Sequence, residues 1–464
     1  MGRSATASRA ALAVLALTAL IAAGCSVVTY PSPGRSVDPS TPLTASVRAH
    51  PKGTDTLPTP PLTGEGLLRL RMSGPGTSWV DAANTSVVVE AAVDGGTPQT
   101  FVLFAGAAPY TYSGFTGPLT TGSHDVTVSV RPDLSVTSGT PTVLILSVEL
   151  VVVLPSDPGY LALAHAPVLY GRGVNAHSDT PLLTYAQSSP QGGGTRIEYT
   201  QIWSNEDAGT GIAPVLLWGG YGRTSDIETT VIANLDSGGA VTSATYQTCA
   251  ACGPDYPENQ VGLDHSYATF AGSYFGGHPI VRDATGNNVL KDAGTTAFRF
   301  QSALSAAPAP DQTRESAMDA SPVANMVMGT EMRREQATYS EDPLEPAAGD
   351  ARQYAIVDLD TTPTGTRAVA VAIKLQGDPH WYTNDFSTGY SGYYTGGHGR
   401  TAVKLPLDWH SRKITKVQLV LYPKTPPPAT APSIVVHNFR VLEIRSDYTT
   451  AYRSSVPAPS AVTP

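Results

Sequence analysis

Short apolar runs separated by turn residues recur along most of the chain after residue 63. The alternation is clearest at Val126, Val128 and Val130, where polar residues between the valines would face the opposite side of a strand. The run from Val143 to Val153 is almost continuously apolar, which favours a strand buried on both faces. Several strands at this spacing predict an immunoglobulin-like β-sandwich over residues 64–155.

Further strand-like runs extend over residues 156–450, for which we predict a larger, jelly-roll-like β-sandwich with long loops. These runs pause at residues 301–350, which are rich in Ala, Pro, Met and Glu and leave room for one short helix between Asp319 and Gln336. Strand-like runs then resume towards the end of the unit. The pattern as a whole predicts a mainly β protein with two successive sandwiches.

The residues outside these two units show other patterns. Residues 1–25 combine two arginines with an apolar core too short to span a bilayer, which is typical of a secretory signal peptide. Residues 26–63 are rich in Pro, Ser and Thr and lack apolar periodicity, so we expect a disordered tether there. Residues 451–464 are expected to form a disordered tail.

The signal peptide ends in Ala-Ala-Gly-Cys, which resembles the cleavage box of bacterial lipoproteins, although Ala22 stands where leucine is usual. The resemblance implies that Cys25 carries a lipid and becomes the mature N-terminus. We therefore expect a lipid-anchored protein on the extracytoplasmic face of the cell membrane, with this anchor as its only membrane contact. The alternative is ordinary signal cleavage, in which Cys25 has no role.

Composition agrees with an exported β protein. The chain contains 44 Gly and 39 Pro but only 14% charged residues, which is a turn-rich composition. Its net charge of -9 argues against a nucleic-acid partner. Cys249 and Cys252 are predicted to form a disulfide in an oxidising compartment. A redox motif and half of a zinc site are the alternatives.

Candidate chemistry is concentrated where two strand-like runs each carry acids at one end. Glu206 and Asp207 follow the first run, and Asp226 and Glu228 open the second. Asp226 and Glu228 would share a strand face and repel each other unless a cation or a shared proton intervened. Clustered carboxylates suit a hard cation, so we predict a Ca²⁺ or Mg²⁺ site at Asp207, Asp226 and Glu228. The alternative is a set of solvated loop acids.

Four phrases of this region, taken in order, resemble a β-sandwich superfamily that includes necrosis- and ethylene-inducing-like proteins and vacuolar protein sorting 62-like proteins. In the toxin branch, the acid after an aromatic strand and a later motif bind a divalent cation that helps to recognise a glycosylated lipid head group. The resemblance thus implies a similar site here. The four phrases are His165-Ala-Pro-Val-Leu169, Glu198 to Asp207, Gly222 to Glu228, and Gly277-His-Pro-Ile-Val281.

The resemblance holds at only some of the positions that bind the cation in the family. Asp207, Asp226 and Glu228 occupy positions of the family's acidic ligands, but its histidines and its tryptophan are replaced here. The replacing residues are Arg223, Thr224, Ser225 and Ile227. Since Arg223 is cationic, it could pair with the acids in place of a metal.

A polar, aromatic stretch between two later strands is predicted to form a long loop over a binding face. Trp381, Tyr382, Tyr390 and Tyr393 lie in it, and aromatic rings of this kind suit stacking on sugar rings. The alternative is a loop that packs on itself.

These features predict a cell-surface lipoprotein that binds extracellular glycan or glycolipid through the acidic site. The first alternative is a secreted polysaccharide hydrolase or lyase, for which Glu206, Glu228, His265 and His278 are the candidate catalytic residues. A structural role for each histidine is the competing interpretation. The second alternative is a structural envelope lipoprotein. The chain contains no serine-hydrolase elbow, zincin motif or phosphate loop.

Overall fold

The computed structural model confirms a mainly β protein, with 50% of residues in strands and 9% in helices. Its strands form several sheets, among them a nearly closed sandwich. No helix among the residues that it describes is long and apolar enough to cross a membrane. The described residues are 27–172, 180–205, 214–249, 265–335, 339–385, 394–425 and 431–463, without the side chains of 214 and 331–335.

The first unit is a nine-stranded sheet with the central order β6-β5-β8-β3-β9-β4-β7, in which β1 and β2 pair with β9. Most of its apolar side chains point inward, and those of β9 are buried almost throughout, as its continuous apolar run predicts. The strands are β1 (Val27–Thr29), β2 (Arg35–Val37), β3 (Leu43–Pro51), β4 (Thr63–Ser73), β5 (Val88–Val93), β6 (Gln99–Val102), β7 (Tyr110–Thr120), β8 (Gly122–Val130) and β9 (Val143–Val153).

The predicted disordered tether over residues 26–63 is wrong for the described part of this segment. β3 pairs with β8 from Leu43 to Ala49 and then with β9 at His50 and Pro51. Buried and exposed residues alternate along the first six positions of β3. This alternation is short and the residues around it are rich in Pro, Ser and Thr, which is why the composition predicts a spacer.

The middle of the chain contains a six-stranded sheet of order β15-β14-β13-β12-β11-β20 and a five-stranded sheet built around β16-β17-β10-β19. Its elements are α1 (Tyr160–Ala164), β10 (Val168–Tyr170), β11 (Pro181–Gln191), β12 (Gly194–Trp203), α2 (Pro214–Tyr221), β13 (Ile227–Leu235), β14 (Val241–Thr248), β15 (Ser266–Thr269), β16 (Tyr274–Phe275), β17 (His278–Asp283), β18 (Leu290–Lys291), β19 (Arg299–Phe300), β20 (Leu304–Ser305) and α3 (Pro322–Glu335).

The remaining strands form two four-stranded sheets, β24-β21-β26-β27 and β23-β22-β25-β28. Residues from both sheets pack into a second hydrophobic core, and the first of these sheets also contributes Tyr354, Ile356 and Leu442 to the core of the preceding units. The strands are β21 (Tyr354–Thr364), β22 (Thr366–Leu375), β23 (Tyr382–Thr383), β24 (Gly397–Lys404), β25 (Ile414–Pro423), β26 (Ser433–Ile444), β27 (Thr450–Tyr452) and β28 (Ser460–Val462).

This arrangement corrects two predicted boundaries. Residues 156–450 do not share a single sandwich core, because the C-terminal pair of sheets has its own core. Residues 451–464 are not a disordered tail over their described length, since β27 pairs with β26 and β28 pairs with β25. The second error arises because strand pairing between distant segments leaves no local signal in a short strand.

Candidate functional site

The acidic site lies where β13 begins. Glu228 is the second residue of β13, and its Oε1 is 3.2 Å from Nδ1 of His265, which directly precedes β15. β14 lies between these two strands, but it pairs with β13 only from Val231 onward. Among the described residues, no ladder pair of β14 therefore lies beside the start of β13, where His265 contacts the Glu228 carboxylate.

The turn that follows β17 supplies two asparagines to the same site. Ala284 donates its backbone N–H to Val289 at 3.0 Å, which closes the turn. Nε2 of His265 lies 3.1 Å from the backbone oxygen of Asn287, and Nδ2 of Asn288 donates to Asp226 Oδ2 at 2.7 Å. Asn288 has a φ of 55°, a left-handed conformation that asparagine tolerates better than most residues. One turn thus orients both an acid and its neighbouring histidine.

Charge pairing sets the protonation of Glu228 and His265. Burial alone would raise the pKa of Glu228, but the hydrogen bond and charge of His265, followed by the charges of Arg314 and Arg223, lower it. Burial likewise opposes the charged form of His265, yet Glu228 and then Asp226 outweigh burial and raise its pKa. The site therefore favours a carboxylate beside an imidazolium.

A second group of charges supports this pair from the short helical segment Arg314–Ala320. Glu315 is buried, and its Oε1 lies 3.5 Å from Nε of Arg223 and 3.4 Å from Nε of Arg314. Burial would raise the pKa of Glu315, but these two arginines and Arg400 lower it. Arg223 therefore forms an ion pair with Glu315, an acid that the sequence analysis did not connect with it.

An exposed aromatic ring borders the site. Tyr267 on β15 is 50% exposed, and burial of the rest of its side chain, together with the charges of Glu198 and Glu228, raises the pKa of its hydroxyl. Arg314 acts in the opposite direction on the same hydroxyl, which places all three charged groups within electrostatic reach of Tyr267. We call Glu198, Glu228, His265, Tyr267 and Arg314 together the polar site.

The metal prediction is only partly within the described residues. Among them, no group of three or more His, Cys, Asp or Glu side chains is arranged to hold a metal ion. Glu228 faces His265 and Asp226 accepts a hydrogen bond from Asn288, so these two acids fit a hard cation poorly. Asp207 and the catalytic candidate Glu206 lie outside the described residues, and Ca²⁺ or Mg²⁺ binding stays a prediction.

His278 has a structural role, which corrects its place among the catalytic candidates. Its side chain is 0% exposed, and its ring stacks on Phe115 of the first unit at 4.1 Å. Nδ1 lies 2.8 Å from the backbone oxygen of Ala166, and Nε2 lies 3.3 Å from Oε1 of the buried Glu65. The ring therefore packs between two units and cannot reach a dissolved substrate.

The aromatic loop is only partly available for sugar stacking. Tyr382 is 4% exposed in the C-terminal core and donates its hydroxyl to Asp378 at 2.8 Å, so its predicted ligand-binding role is wrong. Trp381 is half-buried, with Nζ of Lys374 5.7 Å from its ring centroid. Tyr390 and Tyr393 lie outside the described residues.

The predicted disulfide and lipid attachment site are also only partly within the described residues. Cys249 is buried at the end of β14 and is disulfide-bonded. Its predicted partner Cys252 and the proposed lipid attachment site Cys25 lie outside the described residues, so the identity of the pair and the lipid remain predictions.

Several residues in or next to the polar site have roles that the sequence alone did not reveal. Tyr267 and Asn287 lie in a stretch dense in aromatic and polar residues, and that density was the available signal. Arg314 and Glu315 lie in an Ala- and Pro-rich stretch with no motif around them. The approach of Arg314 to Glu228 depends on packing between segments that are more than 80 residues apart in the chain.

The Glu228–His265 pair should give the protein a defined pH dependence. A lowered acid pKa stabilises the fold above its ordinary value of 4.5, and a raised histidine pKa stabilises it below its ordinary value of 6.5. The pair should therefore contribute most between these pH values, by about 1 kcal/mol. Urea unfolding of wild type and Glu228→Gln at about pH 3, 5.5 and 9 measures this. A difference that is largest at about pH 9 would contradict the assignment.

Comparisons with known proteins place the chain in no family. No family model matches it, and no curated protein matches it significantly. Among solved structures, a ruminal GH26 endo-beta-1,4-mannanase is similar over 27% of this chain at 9% identity, with a TM-score of 0.17. The match spans only 20% of the mannanase chain. A TM-score this low carries no argument about shared architecture or activity.

Proposed function

We propose that this chain is a lipid-anchored protein of the cell surface that binds extracellular glycan or glycolipid at the polar site. The anchoring part rests on the resemblance of residues 22–25 to a lipoprotein cleavage box, and mass analysis of the mature N-terminus tests it. The glycan part rests on the polar site, whose residues come from separate strands and a helical segment.

The observation that carries the proposal is an exposed tyrosine ring beside a carboxylate–imidazolium pair. A sugar ring offers an apolar C–H face, which suits an aromatic ring, and hydroxyls at its edge, which suit charged hydrogen-bonding groups. Tyr267 supplies the ring, and Glu228, His265 and Arg314 supply partly exposed donors and acceptors. Because these charges compensate one another, the ligand does not need a charge of its own.

Replacing Tyr267 tests the proposal directly. In Tyr267→Ala, retention on the glycans that hold the wild type on an array should fall about tenfold, because stacking and hydrogen bonding at the hydroxyl are lost together. Tyr274→Ala is the matched control. Tyr274 lies in the same unit and has a similar exposure of 43%, but it does not belong to the polar site. Equal retention in both variants would exclude Tyr267 from binding. Failure of the wild type to bind any glycan would leave the structural envelope role as the function.

Hydrolysis or elimination at the same site is the second candidate function. Neighbouring groups whose pKa values are pushed apart are a common basis for acid and base roles in catalysis. Glu228 would act as the base or nucleophile and His265 as the acid, since the pKa of the first is lowered and that of the second is raised. Release of reducing ends or unsaturated products from a polysaccharide panel would support this function over binding alone.

A further inference from the structure

A cleft of about 240 Å³ lies at the junction of the first sheet and the six-stranded sheet. Its walls come from β4, β6, Phe104 and β7 on one side, and from the start of β11 and residues 300–305 on the other. The junction is held by main-chain hydrogen bonds. Phe115 donates to Gln301 at 2.8 Å, and Ala303 donates to Ser113 at 3.2 Å. The segment then continues into β20, which pairs with β11. The cleft is therefore a built feature between two hydrogen-bonded walls.

Polar groups at the cleft are available for a ligand. The hydroxyls of Thr111, Ser113, Ser302 and Ser305 line it, and none of them is fully buried. Within the described part of the chain, none of these four side chains makes a hydrogen bond. The half-buried ring of Tyr110 lies beside them and packs on Tyr112, with centroids 5.0 Å apart. Free hydroxyls next to an aromatic ring offer both contacts that a sugar requires.

The charged side chains around the cleft restrict the class of ligand that it can bind. Arg69 is the sole charged residue among the described residues of the lining, and it lies opposite Glu149 in the pairing of β4 with β9. Nη1 of Arg69 is 3.4 Å from Oε2 of Glu149, so its charge is already balanced. Nothing in the described lining would compensate the additional charge of an anionic ligand. The cleft therefore favours an uncharged occupant, to which Arg69 can still donate hydrogen bonds.

The volume of the cleft also limits the size of the ligand, because drug-sized ligands occupy larger pockets, of about 300–1,000 Å³. We propose that this cleft is a second binding site, which takes a single neutral sugar residue such as the end of a neutral oligosaccharide. The site lies on β7, β11 and β20, two strands away from Glu228 within the six-stranded sheet. The proposal does not rest on the polar site and stands if that site binds nothing.

The test uses the full-length protein with the methyl glycosides of glucose, mannose and galactose as probes, observed by saturation-transfer NMR and titration calorimetry. We expect at least one glycoside to bind, and Thr111→Trp to weaken that binding at least about tenfold by filling the cleft. Thr44→Trp is the matched control, because Thr44 is an exposed strand residue of the same sheet outside the cleft, and it should bind like the wild type.

Three results would overturn the proposal. The first is no binding of any of the three glycosides. The second is equal loss in the two tryptophan variants, and the third is tighter binding of glucuronate than of the neutral probes. Binding that survives Glu228→Ala but not Thr111→Trp assigns the sugar to the cleft, whereas the reverse pattern assigns it to the polar site. The two proposals therefore fail separately.

Discussion

Replacing Arg400 with methionine should lower the free energy of unfolding by about 3–5 kcal/mol, because it leaves two carboxylates without their buried partner. The guanidinium is 1% exposed and contacts Asp358 at 2.7 Å through Nε and Asp319 at 2.9 and 2.8 Å through its two terminal nitrogens. Burial opposes the charge on Arg400, but Asp319 and Asp358 outweigh burial and raise its pKa. Gly222 packs against this side chain, and a Cβ there would lie 2.7 Å from Cγ of Arg400.

The loss should be measured by urea unfolding, with Arg367→Met as the control. Arg367 is exposed on β22 in the other C-terminal sheet, and its removal should change the free energy of unfolding by less than about 0.5 kcal/mol. Adding Asp319→Asn to Arg400→Met should restore part of the stability, since one unpaired carboxylate is then removed. A loss of the same size in both single arginine variants would mean that the buried network contributes nothing specific.

The same arginine links stability to the polar site. Asp319 belongs to the segment Arg314–Ala320, which also carries Arg314 and Glu315. Arg400 therefore holds that segment against the C-terminal sheet through Asp319. In Arg400→Met, we expect weaker glycan retention at the polar site even where the protein remains folded.

Glu228→Ala should weaken glycan binding at the polar site about 100-fold. Two sugar hydroxyls that donate to one carboxylate are worth about 1.5 kcal/mol each at the least, and alanine removes both acceptors. His265 also loses its anionic partner 3.2 Å away, so its pKa should fall towards the ordinary value of 6.5. The chemical shifts of the His265 imidazole across a pH titration of the ligand-free protein report this fall in pKa.

Glu341→Ala is the control for this variant, because Glu341 is exposed and lies outside the polar site. Its glycan retention should equal that of the wild type. Glu228→Gln should show an intermediate affinity, since the amide keeps one acceptor and the side-chain length. Wild-type affinity in Glu228→Ala would contradict glycan binding at this carboxylate, whatever its effect on stability.

Long apolar runs predicted their strands well, whereas short strands of mixed composition were missed. The long run over Val143–Val153 predicted a buried strand, and β9 has those bounds. β3 and β28 were missed, because a short strand of mixed composition forms through pairing with its neighbouring strands, and its own residues do not predict it. The boundary between the middle sheets and the C-terminal sandwich was missed for a related reason, since separate cores have the same apolar composition.

The candidate site was likewise only partly predictable from the sequence. The spacing of Asp226 and Glu228 indicated a place at the start of β13 where charge needs compensation, and the cation predicted there stays a prediction. The groups that provide the compensation could not be read from neighbouring positions. His265 follows Glu228 by 37 residues, and Arg314 lies still further along the chain.

The sequence by itself determined the mainly β class, because strand formation follows from local apolar alternation and frequent turns. It also determined which residues bring carboxylates to one strand end. Only the tertiary structure decided that the described acids meet an imidazolium, asparagines and arginines. Electrostatic pairing depends on distances of a few ångströms, and those distances are set by packing between segments far apart in the chain.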